Sequence, residues 1–382
     1  MGWSALVKRL LVSLLLGAAA WLVGCTATPT QQASSTSEVA LRFISESSLP
    51  HRLEVFGTTF GGISGCDYDA KRGVFYLLSD DRSDINAARF YTAKLTISAS
   101  DIGKPELLSV STLKKANGST FGNKVDDPKN VLDPEAIRYR ADTDTLIWTS
   151  EGDRRLLVHP TLAEMRLDGT MLRTIPTLSM FNMNSAPLGS RDNNSFEGLS
   201  LSVDGKSAWV AMEAPIYEDG EPPSVTSAGG AIRFTQYDLT SAKALRQIAY
   251  RADAIPARPM PPSGYADNGV PEVLLLDEHR MLVLERSFAQ GIGNSIRIYL
   301  IDTRTGSDTM NIAALTEGNF RSAPKKLLVN FDSLNLRRLD NTEAMCFGPR
   351  LPNGNRTLVV ASDDNFNARQ VNQFLAFELI EK

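Results

Sequence analysis

The sequence predicts an all-β fold, a β-propeller of four-stranded antiparallel blades, with five blades favoured and six as the alternative. The first reason is a repeat. An acid or Ser followed by a small or apolar residue opens a strand-like run in Ile63-Ser64-Gly65-Cys66, Pro134-Glu135-Ala136-Ile137, Phe196-Glu197-Gly198-Leu199, Pro271-Glu272-Val273-Leu274 and Thr342-Glu343-Ala344-Met345. The residue after the acid or Ser falls at 65, 136, 198, 273 and 344, a nearly even spacing along the chain. The second reason is that a turn and a second strand ending in an acid follow each run: Phe75–Asp81, Leu146–Glu151, Ala208–Glu213, Met281–Glu285 and Leu358–Asp364. The third is that no long amphipathic helix pattern occurs after the first 25 residues.

Taken in order, the elements begin with a segment outside the fold. Lys8 and Arg9 precede an apolar run from Leu10 to Val23, which reads as a secretory signal over residues 1–24. Its end, Leu22-Val23-Gly24-Cys25, resembles a bacterial lipobox, which implies cleavage before Cys25 and lipidation of that residue. Thr26, rather than Asp, favours the outer membrane. Residues 25–37 are polar and low in complexity and read as a tether. The expected product is a folded domain over 38–382, monomeric, held in the cell envelope facing the periplasm by a lipid alone. Val39–Glu46 or Arg52–Thr59 then supplies the strand that completes the last unit and closes the ring. Within each unit, turns such as Asp204-Gly205 and Asn353-Gly354 favour tight hairpins, because Gly and Asn tolerate positive φ. Outer strands are expected at Ala88–Leu95, Glu106–Leu113, Ala231–Leu239, Leu245–Ala252, Ser295–Asp302, Lys326–Phe331 and Gln373–Ile380.

Composition sets limits on function. The net charge is −4, so a basic nucleic-acid surface is excluded. Three His make a His-rich metal centre unlike this chain. No G-x-S-x-G elbow, H-E-x-x-H or C-x-x-C is present. Cys66 and Cys346 are far apart in sequence, and two buried thiols are the favoured reading over a disulfide. Trp148 and Trp209 are expected to pack between blades.

The repeated acids carry the chemistry. Innermost propeller strands line a central channel, so acids at their starts would converge there with those ending the next strand. Two carboxylates about 5 Å apart repel by roughly 3 kcal/mol at an effective dielectric near 20. Such a ring must bind cations, pair with Arg, or stay partly protonated. Arg82, Arg154, Arg155 and Arg286 follow the second acids and could pair with them or grip an anion. With Asn194, Asn341 and Asn365 nearby, the donors are all oxygen, which suits Ca²⁺ or Mg²⁺.

The stretches 61–83, 133–153, 193–213, 271–288 and 340–366 resemble the phytase-like family, also described as esterase-like activity of phytase. The resemblance implies a domain acting on phosphate esters, and a distant similarity to calcium-dependent propeller phytases implies carboxylate-held Ca²⁺. Ser64 replaces the Glu of the other units, and Val273 the usual Gly or Ala. The expected metal set is Glu135, Glu197, Glu272, Glu343, Asp80, Asp81 and Asp363. Glu151, Glu213 or Glu285 would be the general base, and Arg82, Arg154 or Arg286 would clamp a phosphorylated small-molecule substrate. The expected function is a Ca²⁺-dependent phosphate-ester hydrolase. A non-catalytic binding propeller and a hydrolase of another ester, such as a lactone, remain the alternatives.

Overall fold

The computed structural model describes residues 38–382. The expected signal segment over 1–24, the expected lipidation site Cys25 and the expected tether to residue 37 lie outside the described residues.

The chain enters through β1 (Val39–Leu49), and a small hairpin, β2 (Leu53–Val55) and β3 (Thr58–Phe60), follows. Five sheets of four antiparallel strands come next. Blade 1 is β4 (Ile63–Asp69), β5 (Val74–Ser79), β6 (Arg89–Lys94) and β7 (Glu106–Thr112). Blade 2 is β8 (Pro134–Arg140), β9 (Thr145–Ser150), β10 (Thr161–Arg166) and β11 (Met171–Ile175). Blade 3 is β12 (Phe196–Leu201), β13 (Ser207–Met212), β14 (Ile232–Asp238) and β15 (Lys243–Tyr250). Blade 4 is β16 (Ala266–Leu275), β17 (Arg280–Ala289), β18 (Gly293–Asp302) and β19 (Lys325–Asn330). Blade 5 is β20 (Thr342–Gly348), β21 (Arg356–Ser362), β22 (Asn372–Glu381) and, at its edge, β1. The fold is therefore a five-bladed β-propeller. Among the described residues the only helical pieces are three short 3₁₀ turns.

Apolar side chains on both faces of each sheet are buried against the neighbouring blades. Blades 1 and 2 share a cluster around Phe90, Ile137 and Trp148, and blades 1 and 5 share one around Phe75, Tyr91 and Val359. Trp148 and Trp209 are both buried, as their strand positions predict. This two-sided burial explains why the middle strands read as continuous apolar runs.

The ring is closed twice. β1 pairs with β22 from Val39↔Glu381 to Leu49↔Asn372, so one blade contains both ends of the described chain. A shared terminal blade ties these ends together by backbone hydrogen bonds. Cys66 on β4 and Cys346 on β20 are joined in a disulfide, across 280 residues of sequence and between the innermost strands of the first and last blades. This corrects the expectation of free thiols. Two strands distant in sequence become neighbours only because the ring closes, so spacing along the chain carried no sign of it. β16 begins at Ala266, inside the Pro- and Gly-rich stretch 255–271.

All five innermost strands share one irregularity. Each has an extra residue near its start, where two residues oppose one on the next strand: Ile63–Gly65 against Ser79–Leu78, Pro134–Ile137 against Ser150–Trp148, Phe196–Leu199 against Met212–Val210, Gly269–Glu272 against Arg286–Leu284, and Thr342–Ala344 against Ser362–Ala361. A bulge of this kind re-aims a side chain.

The disulfide predicts a measurable closure effect. A cross-link over so long a loop stabilises by about 3–5 kcal/mol. Guanidinium unfolding in reducing buffer, or of Cys346→Ser, is expected to show that loss; an unchanged midpoint would mean that β1–β22 pairing alone closes the ring.

Candidate functional site

The bulges set the register of the site. Counting from the paired residue before each bulge, the equivalent bulge positions are Ser64, Glu135, Glu197, Val270 and Glu343. The positions just past the paired residue on the second strands are Asp80, Glu151, Glu213, Ser287 and Asp363. Four blades thus send acids to one end of the channel, and the fourth sends none from these positions.

Two sequence-based assignments in blade 4 are corrected by this register. Glu272 lies two residues deeper, level with Ile137 and Leu199. Its carboxylate pairs with Arg138 at 2.7 Å and accepts N–H groups of Leu199 and Val273, so it serves the channel floor. Burial, only partly offset by Arg138, raises its pKa to about 7. Glu285 likewise sits two residues early. It is buried between blades 3 and 4, where it accepts hydrogen bonds from the Tyr250 hydroxyl, the Asp253 N–H, Asn268 and Lys325. Pro271-Glu272 mimics Pro134-Glu135 locally, but strand pairing shows that the two are not equivalent.

Three further candidates fall outside the site. Asp81 is buried in a loop clasp, accepting N–H groups of Asp84, Ile85 and Asn86 and pairing with Arg89 at 2.7 Å. Arg154 donates to the carbonyls of Ala186, Leu188 and Ser190 and lies 4.6 Å over the Tyr217 ring. Arg155 is exposed and pairs with Asp192.

The remaining residues converge. Asp80, Arg82, Asp133, Glu135, Asn193, Glu197, Arg286, Glu343, Asp363 and Asn365 line a cavity of about 190 Å³. Glu151 and Glu213 are buried beside it, and ligand atoms of Asp133, Glu135 and Glu151, and of Glu151, Glu197 and Glu213, lie within 4.8 Å of one another in each set. Glycine permits the crowding. A Cβ at Gly62, where φ is +63°, would stand 2.0 Å from Asp80 Oδ1, and one at Gly269 would stand 2.7 Å from Glu213 Oε1.

Compensation is uneven. Arg286 Nη2 approaches Glu213 Oε1 at 3.0 Å and Glu343 Oε1 at 3.5 Å, while its Nη1 meets Asp267 Oδ2 at 3.1 Å. Asn194 donates to Glu213, Ser64 Oγ to Glu343, and Asn341 to both Glu343 and Asp363. Arg82 pairs with Asp133 and donates to Asn193. Other carboxylates of the cavity lack a donor. Among the described residues no donor reaches the carboxylates of Asp80 or Glu197, and Glu151 accepts Ser195 N–H through Oε1 while its buried Oε2 has no partner.

The electrostatics follow. Burial raises the pKa of Asp80, Glu135, Glu151, Glu197, Glu343 and Asp363, and neighbouring carboxylates add to the rise. Burial lifts Asp133 to about 6 against the pull of Arg82, and Glu213 to about 7 against that of Arg286. Burial opposes charge on Arg286, yet Asp267, Glu213, Glu343 and Glu197 hold its pKa above the ordinary value.

The chain's similarity to known proteins bears on this site. A family model described as "Phytase-like: Esterase-like activity of phytase" matches residues 58–366. The chain belongs to the phytase-like family. The matched span contains every residue of the acidic cavity. Among curated proteins no relative matches. Solved structures of similar shape include a GH62 alpha-L-arabinofuranosidase catalytic domain of Coprinopsis cinerea, at 11% identity and TM-score 0.44, covering 89% of this chain and 97% of the other. A periplasmic gluconolactonase of Pseudomonas aeruginosa aligns at 9% identity and TM-score 0.38, covering 90% and 98%. These distant likenesses carry no argument about chemistry.

Asp133 is the acid of the cavity that sequence reasoning missed, and Asn193 is a second missed lining residue. The residue before each innermost strand is Gly62, Asp133, Ser195, Asn341 or, in blade 4 by register, Asn268, and it is polar in four of these five cases. That third recurring position was the available signal.

The site predicts an unusual pH dependence. Carboxyls with raised pKa bind protons more tightly folded than unfolded, so their contribution is present at low pH and lost as pH rises toward the folded value. Glu213 alone, moved from an ordinary 4.5 to about 7, accounts for roughly 3 kcal/mol. In chelator, stability is expected to fall between pH 5 and pH 8, and Glu197→Gln to recover part of it at pH 8. Stability rising with pH in chelator would contradict the charge arrangement.

Proposed function

We propose that the protein is a metal-dependent hydrolase of phosphate esters, with Ca²⁺ as the metal and Mg²⁺ as the alternative. The observation that carries this reading is the lopsided cavity. Eight carboxyls, of Asp80, Asp133, Glu135, Glu151, Glu197, Glu213, Glu343 and Asp363, meet only two guanidiniums, and among the described residues no donor reaches the carboxylates of Asp80 and Glu197 or Oε2 of Glu151. The family description supports ester hydrolysis.

The residues fit a hard divalent cation. All donors are oxygens, most are buried, and the Glu151 Oε2 that no protein donor satisfies belongs to a residue common to both carboxylate sets. Glu151, Glu135, Glu197 and Asp133 would hold the ion. When bound, Ca²⁺ would neutralise a phosphate and favour ionisation of an attacking water.

The remaining roles belong to fixed side chains. Arg286, locked by three carboxylates, presents a permanent cation from blade 4, whose own bulge and second-strand positions carry no acid, and binds a phosphate oxygen there. Arg82 flanks the cavity from blade 1. Glu213 touches Arg286 and has a pKa of about 7, which suits a group that takes a proton from water near neutral pH. The organic part of the ester rests in a basin of about 650 Å³ that shares Asn193, Arg286, Glu343 and Asn365 with the inner cavity.

The same reading puts the protein in the bacterial envelope as a lipid-anchored monomer. The Cys66–Cys346 disulfide supports an oxidising compartment. No helix among the described residues is long and apolar enough to cross a membrane.

The test is turnover of phytate, p-nitrophenyl phosphate and bis-p-nitrophenyl phosphate by the purified protein, with Ca²⁺ and with chelator. Chelator-sensitive hydrolysis is expected. Glu151→Gln should lower kcat/KM by about 100-fold or more at limiting Ca²⁺, while Arg154→Ala should stay within about threefold. Metal-independent turnover, or turnover of a lactone and none of the phosphates, would overturn the proposal.

A further inference from the structure

The basin contains one feature that the hydrolytic reading does not use. Most of its lining is polar: Asn193, Asn294, Asn341, Asn367, Gln370, Arg338 and Arg369. Against this, Tyr265 stands on the wall with 62% of its surface exposed. An aromatic ring left in water gives up its burial energy, and a ring serving only to pack would turn inward.

Tyr265 is also fixed. Its N–H donates to Gln290 Oε1 at 3.0 Å, and its carbonyl accepts the Gln290 N–H at 2.8 Å. Its hydroxyl donates to Asp267 Oδ2 at 2.8 Å. The ring therefore has little freedom left to lose when a ligand stacks on it. Phe288 stands beside it with ring centroids 6.3 Å apart and planes tilted by 36°, which supports the wall without covering the ring.

The third observation fixes where the ring stands relative to the chemistry. Asp267 Oδ2 accepts from Tyr265 and is also the atom that pairs with Arg286 Nη1 at 3.1 Å. One carboxylate oxygen thus joins the aromatic wall to the guanidinium at the neck of the acidic cavity. Because both donors contact the same atom, the Tyr265 hydroxyl and the Arg286 guanidinium are at most about 6 Å apart, the sum of two hydrogen-bond lengths. A phosphate held by Arg286 would carry its organic group outward beside this ring.

We infer that Tyr265 is a specificity-determining platform, and that the preferred substrates are phosphate esters whose alcohol part is an aromatic or heteroaromatic ring. This rests on the phosphate-ester reading and deepens it. Ring stacking contributes about 0.5–1.5 kcal/mol beyond area burial, up to roughly tenfold in affinity. Asp267 couples that contact to the orientation of Arg286.

The test uses two non-hydrolysable probes, phenylphosphonate and methylphosphonate, titrated calorimetrically into the whole protein with saturating Ca²⁺. The wild type is expected to prefer the phenyl compound by about tenfold. Tyr265→Ala should abolish the preference, and Tyr265→Phe should retain most of it, since the ring remains. Equal affinity of the two probes for the wild type, or a preference that survives Tyr265→Ala, overturns the platform while leaving phosphate binding intact. A phenyl preference without turnover of any phosphate ester upholds the platform and removes the hydrolytic reading instead. Failure of both probes to bind overturns both.

Discussion

Mutual repulsion among carboxylates in a closed cavity is the constraint on which this structure turns. At about 4.8 Å, two ionised carboxylates oppose each other by roughly 3 kcal/mol at an effective dielectric near 20. Four blades bring such groups together, and the protein offsets them only in part. Arg286, Asn194, Asn341 and Ser64 serve Glu213, Glu343 and Asp363, whereas among the described residues Asp80, Glu197 and one oxygen of Glu151 receive no hydrogen bond. A fold optimised for stability alone would replace those acids. Their retention leaves a site that protons or a cation must complete, and the choice between the two depends on pH.

The propeller makes this strain tolerable. Five blades packed face to face bury large apolar surfaces, β1 and the disulfide close the ring, and Arg138–Glu272 seals the channel below the acids. Arg138 also donates to the carbonyls of Cys66, Val273 and Met345, so a single guanidinium braces innermost strands from blades 1, 4 and 5. The bulge at the start of each innermost strand then decides which side chain faces the cavity. Blade 4 keeps the bulge but places Val270 and Ser287 at the acidic positions. Arg286 fills that sector and sets one guanidinium against Glu213 and Glu343 of the neighbouring blades.

Much of the fold was legible in the sequence because its determinants are local. Alternating turns, apolar runs and repeated acids gave five hairpin-opened blades, and of the two segments offered for the closing strand, Val39–Glu46 and Arg52–Thr59, the first pairs with β22. The limits were those of register. Pro271-Glu272 reads like Pro134-Glu135, and only the pairing of Gly269 with Arg286 shows the two-residue offset that removes Glu272 and Glu285 from the site. Asp81 is adjacent to Asp80 but turns into its own loop, bonded to three backbone N–H groups. Cys66 and Cys346 meet only across the closed ring, and Arg154 is diverted to loop carbonyls that no spacing rule identifies. Glu135, Glu197, Glu343, Asp80 and Asp363, with Glu151, Glu213, Arg82 and Arg286, do converge as the repeat implied.

The most direct test of the central claim is anomalous diffraction from crystals grown with Tb³⁺ or Mn²⁺ in place of Ca²⁺. The strongest peak is expected inside the acidic cavity, at about 2.0–2.6 Å from Glu151 Oε2. A cavity holding only water, with metal peaks confined to exposed surface acids, would contradict it.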